Sequence, residues 1–497
     1  MSDDGELSST DKVCTGTEGL DNVLCGGFPA NRLYLMQGDP GVGKTTLSLQ
    51  FLLEGARRGE PVLYVTLSET VEEIEAIAEA HGWDLAGVSI YEMSSGTDED
   101  DDQENTLYVP DEVELGERMA ALLEEVKRVT PKRIVIDSCS ELRLLARSSL
   151  RFRRQILALK SDLVARRCTT LLLDNPLNGD GDVLLQSLVH GVIALEQLAP
   201  LYGAERRRLR VLKMRGMRYR GGFHDFVIKR GGVQVFPRLV AAEHSELSKP
   251  RQLSSEIPHL DQLLGGGLDS GTCTLLMGPA GAGKSVLATS YCYAALQRGE
   301  RIAMFNFDES TSTLLVRSTS LGMDLQPYMR DERAVIQQVD PAEMSPGELV
   351  YTVRTTVEKQ HAKLVVIDSL NGYFRSLPEE SFLLLQLHEL LSYMRHRGVA
   401  VILVVAQHGL LGSNMSSSVD VSYVSDTVML LRYFESGGQV RKAVSVLKKR
   451  TGVHETSIRE LSFGPEGIIV GPVLAELHGI LSGIPAQDLR VPDSRDP

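Results

Sequence analysis

Two stretches of this sequence have the spacing of a phosphate cradle. GDPGVGKT (38–45) and GPAGAGKS (278–285) both fit G-x-x-x-x-G-K-[ST]. Gly38, Gly41 and Gly43, like Gly278, Gly281 and Gly283, let backbone N–H groups curl around phosphate oxygens. Lys44 and Lys284 supply a neutralising ammonium, Thr45 and Ser285 a hydroxyl ligand for Mg2+, and Thr46 extends the first cradle. Each match follows an apolar run of strand type and opens a helical pattern, the context that makes a P-loop of a string match. The chemistry implied is binding of ATP with Mg2+. A metal shell also needs a carboxylate at a neighbouring strand end, and RIVID (133–137) and LVVID (364–368) supply Asp137 and Asp368. Hydrolysis or transfer needs a base near the terminal phosphate. LSET supplies Glu69, and FDES supplies Asp308 and Glu309. Helical patterns begin directly after these acids, so helix N-capping is their competing reading.

The elements that must hold these residues repeat. TEGLDNVLCGGFPANRLYLMQGDPGVGKTT (17–46) returns as IPHLDQLLGGGLDSGTCTLLMGPAGAGKSV (257–286), at an offset of 240 residues. VLYVTLSET (62–70) lies over IAMFNFDES (302–310), and GWDL (82–85) over GMDL (322–325). The offset falls to 231 between IVIDS (134–138) and VVIDS (365–369), because the first copy carries the acidic TDEDDDQENT (97–106). It is 235 between LKMRG (212–216) and LKKRT (447–451). A duplicated domain follows: a tail at 1–12, a first domain at 13–240, a polar linker at 241–252, a second domain at 253–482 and a tail at 483–497. Strands are expected at 32–37, 62–67, 133–137 and 169–173, and again at 272–277, 301–307, 363–367 and 399–405. Helical 3.6-residue patterns lie between them. This alternation predicts an α/β fold in each half, a mostly parallel sheet flanked by helices.

The whole chain of 497 residues carries a net charge of −14, with 42% hydrophobic and 24% charged residues. That composition belongs to folded domains and disfavours wholesale wrapping of nucleic acid. The N-terminus MSDDGELSSTDK is too acidic for a signal or transit peptide, and the apolar run VAVILVVA (399–406) is too short to span a bilayer as a helix. A cytoplasmic protein is expected. Six cysteines show no metal-ligand spacing and read as buried thiols.

With its paired P-loops, strand-end acids and internal repeat, the chain resembles the KaiC family of circadian-clock ATPases and autokinases over residues 13–485. LKMRG and LKKRTG look like the family's basic motif, and LSGIP (481–485) like its ending. The resemblance implies two tandem RecA-like P-loop domains and a homohexamer of two stacked rings. It also implies that Lys213 and Arg215, or Lys448 and Arg450, reach a neighbouring subunit's γ-phosphate. A cation supplied in trans stabilises transferring phosphoryl charge, although basic residues on a solvated strand are common for less specific reasons. The first ring would be an ATPase, and the second a serine/threonine-type autokinase within a circadian or stress-signalling timer. The family carries two adjacent glutamates at the acid position. Here the first half has Ser68 and Glu69, and the second has Asp308, one methylene shorter, before Glu309.

The hydroxyl-rich SSSVDVSYVSDTVMLL (416–431) takes on meaning in that frame. Aligned on SDT (425–427), the family's adjacent phosphoacceptors fall on Ser422 and Tyr423, and a third on Ser417. Tyr423 departs from the family's threonine. Its oxygen stands farther from the backbone, so a phosphate placed for one does not suit the other. A KaiB-like partner on the first ring fits the resemblance. KaiA engages a C-terminal tail in the family, and the short run through DLRVPDSRDP after LSGIP weighs against KaiA dependence. Two rival classes share the core: a nucleotide-dependent scaffold without kinase activity, and a nucleic-acid motor whose footprint would be ERRRLRVLKMRGMRYR (205–220) and RSSLRFRR (147–154).

Overall fold

The computed structural model describes residues 12–93, 110–146, 148–176, 180–200, 202–243, 251–374, 380–407, 421–464, 467–480 and 486–487. The acidic stretch 97–106, Ser417 and LSGIP (481–485) lie outside them. The chain divides into two compact units, Met1–Arg238 and Leu239–Pro497.

The first unit is built on nine strands: β1 Leu33–Gln37, β2 Val62–Thr66, β3 Ser89–Glu92, β4 Arg133–Asp137, β5 Thr169–Asp174, β6 Gly191–Leu198, β7 Arg206–Met214, β8 His224–Lys229 and β9 Gly232–Phe236. They form one sheet in the order β9-β8-β7-β6-β1-β5-β4-β2-β3. The strands from β6 to β3 are parallel to their neighbours, and β7, β8 and β9 add antiparallel hairpins at one side. The second unit repeats the plan with β10 Cys273–Gly278, β11 Ile302–Asn306, β12 Ala334–Gln338, β13 Leu364–Asp368, β14 Ala400–Ala406, β15 Thr427–Ser436, β16 Gln439–Lys449, β17 Ile458–Gly464 and β18 Gly467–Val473. Its order, β12-β11-β13-β14-β10-β15-β16-β17-β18, is the same topology strand for strand. These are two tandem RecA-like sheets flanked by helices.

Strands covered on both faces read as unbroken apolar runs. LYLMQ of β1 is buried at every position. Its Tyr34 and Met36 join the core that holds Leu47, Phe51 and Tyr64, while Leu33 and Leu35 join the opposite one, with Ile134, Ile136 and Phe152. Every run expected as a strand is one, to within about a residue at either end. The antiparallel hairpins carry weaker signals, because arms such as RRRLRVLKM face the core on one side only. The β15–β16 turn is the exception that shows its chemistry, with Gly437 and Gly438 both at positive φ (61° and 72°). Leu239 and Ala241 are buried in the second unit's core among Cys273, Leu391 and Met394.

Two helices in each unit matter for the site. α1 (Lys44–Arg57) and α2 (Val71–His81) follow β1 and β2, and α3 (Lys284–Gln297) and α4 (Thr311–Ser320) follow β10 and β11. Parallel strands that each feed a helix deliver their C-terminal ends to one rim of the sheet, where ligands of open α/β sheets bind.

Candidate functional site

Each P-loop fills the turn between its strand and its helix. Gly43, the N-cap of α1, sits at φ 108°, and a Cβ there would lie 2.7 Å from Ile228 Cδ1. Gly283 repeats this before α3 at φ 104°, pressed against Phe463. Only glycine takes that conformation at that distance, so the loop amides and the helix start converge on the cradle. Lys44 is 9% exposed, and its Nζ donates to Gly38 O at 2.7 Å, Asp39 O at 3.0 Å and Asn175 Oδ1 at 2.9 Å. Lys284 Nζ donates to Gly278 O at 2.9 Å and Pro279 O at 2.7 Å. Burial pulls the pKa of both ammonium groups down, opposed by Asp137 beside Lys44 and by Asp368 beside Lys284. Thr46 is buried in α1, so Thr45 is the hydroxyl at the mouth.

The strand-end acids come to the same rim. Asp137 accepts a hydrogen bond from Tyr64 Oη at 2.7 Å and a longer one from Thr45 Oγ1 at 3.3 Å. Burial raises its pKa against those two donors and Lys44. Asp368 is likewise raised by burial, with the Ser285 hydroxyl, Lys284 and Arg317 working against it. Among the described residues no group of three or more His, Cys, Asp or Glu side chains could hold a metal. A hydroxyl beside a carboxylate, Thr45 with Asp137 and Ser285 with Asp368, is the sparse donor set that suits Mg2+, which keeps water and takes phosphate oxygens for the rest of its shell.

The capping reading of the acids fails at both positions. Thr70 caps α2, accepting from Glu73 N at 3.2 Å while Glu73 Oε2 takes Thr70 N at 2.8 Å. Ser310 caps α4, accepting from Thr313 N at 3.1 Å. The acids are therefore free for other work, and the two units use them differently. Glu69 Oε2 is buried with no hydrogen-bond partner, and its pKa is raised by burial, Asp137 and Glu73 against the pull of Lys44. Asp308 is exposed and accepts from Ser369 Oγ. Glu309 is gripped by Arg317, with Nε to Oε1 at 3.0 Å and Nη2 to Oε2 at 2.8 Å.

In the second unit the basic motif meets the hydroxyl segment. Lys448 Nζ donates to Ser422 O at 2.8 Å and Ser425 O at 2.7 Å, and Arg450 Nη2 donates to Tyr423 O at 2.9 Å. In the first unit Lys213 Nζ holds Gln186 O at 2.6 Å and Arg215 Nη2 holds Ser187 O at 3.1 Å. Ser422 is half-buried, and Tyr423 is 53% exposed. The arginine-rich stretch is engaged at home. Arg208 and Arg210 pair with Glu196 at 2.9 and 3.6 Å and lie over the Phe223 ring, and Arg207 pairs with Glu205 at 2.6 Å.

The geometry also names residues that sequence reasoning missed. Tyr64 and Asn175 touch the first site's acid and lysine. Asn306, 1% exposed and paired in register with Asp368, has neither amide atom hydrogen-bonded. Arg317 grips Glu309. A polar residue at the end of an apolar strand (TLLLDN, IAMFN) was the available signal for Asn175 and Asn306. Nothing in the sequence marked Arg317.

A family model described as "ATPase: KaiC" matches twice, at residues 13–240 and 253–475. The chain belongs to the KaiC family of ATPases. Curated relatives are similar along almost the whole length. The circadian clock oscillator protein KaiC of Picosynechococcus sp. is 25% identical over 98% of this chain and 94% of its own. The circadian clock protein KaiC3 of Synechocystis sp. is 26% identical over 97% and 96%. KaiC of Synechococcus elongatus is 27% identical over 96% and 92%. The two matched segments each contain a P-loop, an aspartate at the end of a neighbouring strand and a basic motif, so the KaiC-type pattern is present twice by sequence and by geometry.

Proposed function

We propose that this KaiC-family chain binds ATP at both P-loops, hydrolyses it in the first unit through Glu69, and in the second transfers the γ-phosphoryl group to its own Ser422. The observation that carries the reading is the first site's arrangement. A buried carboxylate oxygen without a partner stands beside a P-loop lysine and a metal-type aspartate, with its pKa raised by burial and the neighbouring carboxylates. In hydrolysis a water oxygen bonds to the γ-phosphorus, the bond to the ADP oxygen breaks, and Glu69 takes the water proton. In transfer the Ser422 hydroxyl replaces water and Asp308 takes its proton. Lys44 and Lys284 hold the β/γ oxygens in both ground and transition states. Mg2+, held by Thr45 and Asp137 or by Ser285 and Asp368, supplies charge neutralisation when bound.

The assembly in this reading is a homohexamer of two stacked rings, in which Lys213, Arg215, Lys448 and Arg450 serve a neighbour's nucleotide. Because Lys448 and Arg450 hold carbonyls of the Ser422 segment, occupancy of the neighbour's site and the position of the acceptor are linked through the same two side chains. The protein acts in the cytoplasm as a timer or switch, with a KaiB-like partner on the first ring. The chain contains no helix, among the described residues, long and apolar enough to cross a membrane.

Phosphopeptide mapping after incubation with Mg-ATP tests it. The expected result is a phosphopeptide spanning Ser422 that disappears in Ser422→Ala and in Lys284→Ala. Phosphate on Tyr423 instead would move the acceptor to the more exposed hydroxyl. A wild-type chain that hydrolyses ATP and stays unmodified would reduce the function to an ATPase that scaffolds.

A further inference from the structure

The two catalytic centres carry an acid at the same position in different states, and one side chain makes the difference. In the first unit Glu69 is unpartnered at Oε2, and its charge acts on Lys44. In the second unit the equivalent Glu309 is held by both arms of the Arg317 fork, at 3.0 and 2.8 Å. The carboxylate whose charge supports Lys284 is Asp368, and Glu309 acts on Asp368 rather than on the lysine. The residue at the position of Arg317 in the first unit is Ile77, which offers no cation. An i to i+3 or i+4 surface pair would be ordinary helix decoration. This pair spans eight residues, joins a loop acid to the second turn of α4, and leaves the two side chains only 23% and 26% exposed. Arg317 also reaches into the site beyond Glu309. Its charge works against the burial that raises the Asp368 carboxyl, and its remaining Nη1 is buried with no partner.

We propose that Arg317 is a positioning residue that draws Glu309 away from the nucleotide in the second site, so that the nucleophile's proton passes to Asp308 and attack by water is held down. This rests on the two-site function proposed above and names the device that separates its two chemistries. A carboxylate already fixed in a two-pronged ion pair is a poor acceptor for a water proton, since both of its oxygens already accept from the guanidinium. Asp308, one methylene shorter and steadied by Ser369, stands at the rim and is left as the acceptor. Hydrolysis at the phosphate meant for transfer is thus disfavoured without loss of the P-loop, the lysine or the metal carboxylate.

The test uses full-length chain carrying Glu69→Gln, which silences the first site, so that the remaining phosphate release reports the second. Arg317→Ala is expected to raise kcat for ATP hydrolysis about tenfold, a modest share of what a positioned general base contributes, with KM unmoved. Arg317→Lys restores the parental rate, and adding Glu309→Gln to Arg317→Ala removes the gain. To separate this effect from any disturbance of α4, the converse is built in the first unit. Ile77→Arg, in a Lys284→Ala background, is expected to slow first-site hydrolysis by capturing Glu69. Release that stays at or below the parental rate in Arg317→Ala, with nucleotide binding and melting unchanged, overturns the proposal, as does undiminished hydrolysis in Ile77→Arg. Absence of any turnover in the Glu69→Gln parent would be a different failure, that of catalysis in the second site itself.

Discussion

At the scale of single residues, the difference between the two sites is electrostatic. Glu69 keeps a raised pKa because burial and two neighbouring carboxylates outweigh Lys44. A base must be ionised to work, so first-site hydrolysis is expected to fall as pH drops, beginning above the ordinary glutamate range. Measured as phosphate release in Lys284→Ala protein, the acid limb should therefore lie higher than for an exposed glutamate, and Glu69→Gln should cost about 10²- to 10⁴-fold at neutral pH. The same substitution is expected to raise the melting temperature slightly in nucleotide-free protein. An acid whose folded pKa is raised binds protons more readily folded than unfolded, so its charge opposes folding at neutral pH. The identity of these residues was legible from spacing alone: a lysine after G-x-x-x-x-G, an aspartate closing an apolar strand, an acid closing the next. Their state was not. Arg317 stands eight positions beyond Glu309 in a stretch that reads as ordinary helix surface, and only the turn of α4 brings its fork back to the acid.

At the scale of elements, the caps settle which reading of the acids survives. A serine or threonine directly after the acid takes the helix N-terminus, and this frees the carboxylate. Thr70→Ala and Ser310→Ala are each expected to cost about 1 kcal/mol in denaturant unfolding, the usual worth of an N-cap. If the caps instead position the acids, Thr70→Ala will also shift first-site kcat, because Glu69 is then the best remaining residue to cap α2. The strands around the site follow from sequence with little ambiguity, since a strand covered on both faces must be apolar throughout. The hairpins β7–β9 and β16–β18 were harder to read, because one-sided strands carry charge on every second residue and resemble an exposed surface. They bring the basic motif to the Ser422 segment. That juxtaposition of Lys448 and Arg450 with Ser422 and Tyr423 is a product of the β15–β16 pairing, across 25 or more residues of intervening chain.

For the whole molecule, acid sensitivity of folding has an identifiable source in the first unit. His224 is fully buried, its Nδ1 accepts from Arg238 N at 2.9 Å, and its pKa is lowered to about 4 by burial. His190, which accepts from Leu33 N at 3.1 Å, is also lowered to about 4. Unfolded, each returns towards 6.5, so the unfolded chain binds more protons between these values and stability is lost as pH falls from about 6.5 to 4. For His224 the full window is worth on the order of 3 kcal/mol. Urea unfolding at pH 7.5 and pH 5 should show that loss in the wild type and a flatter dependence in His224→Gln. The duplication, the two nucleotide sites and the parallel sheets were determined by the sequence itself, because local spacing and apolar periodicity are properties of neighbours along the chain. Tertiary structure alone decided which acid stands free and which is held by an arginine, that the basic motif grips the Ser422 segment, and that Asn306 is buried with its amide unpaired. Each of these depends on residues far apart in sequence, and their energy comes from burial and charge at close range, which no spacing rule records.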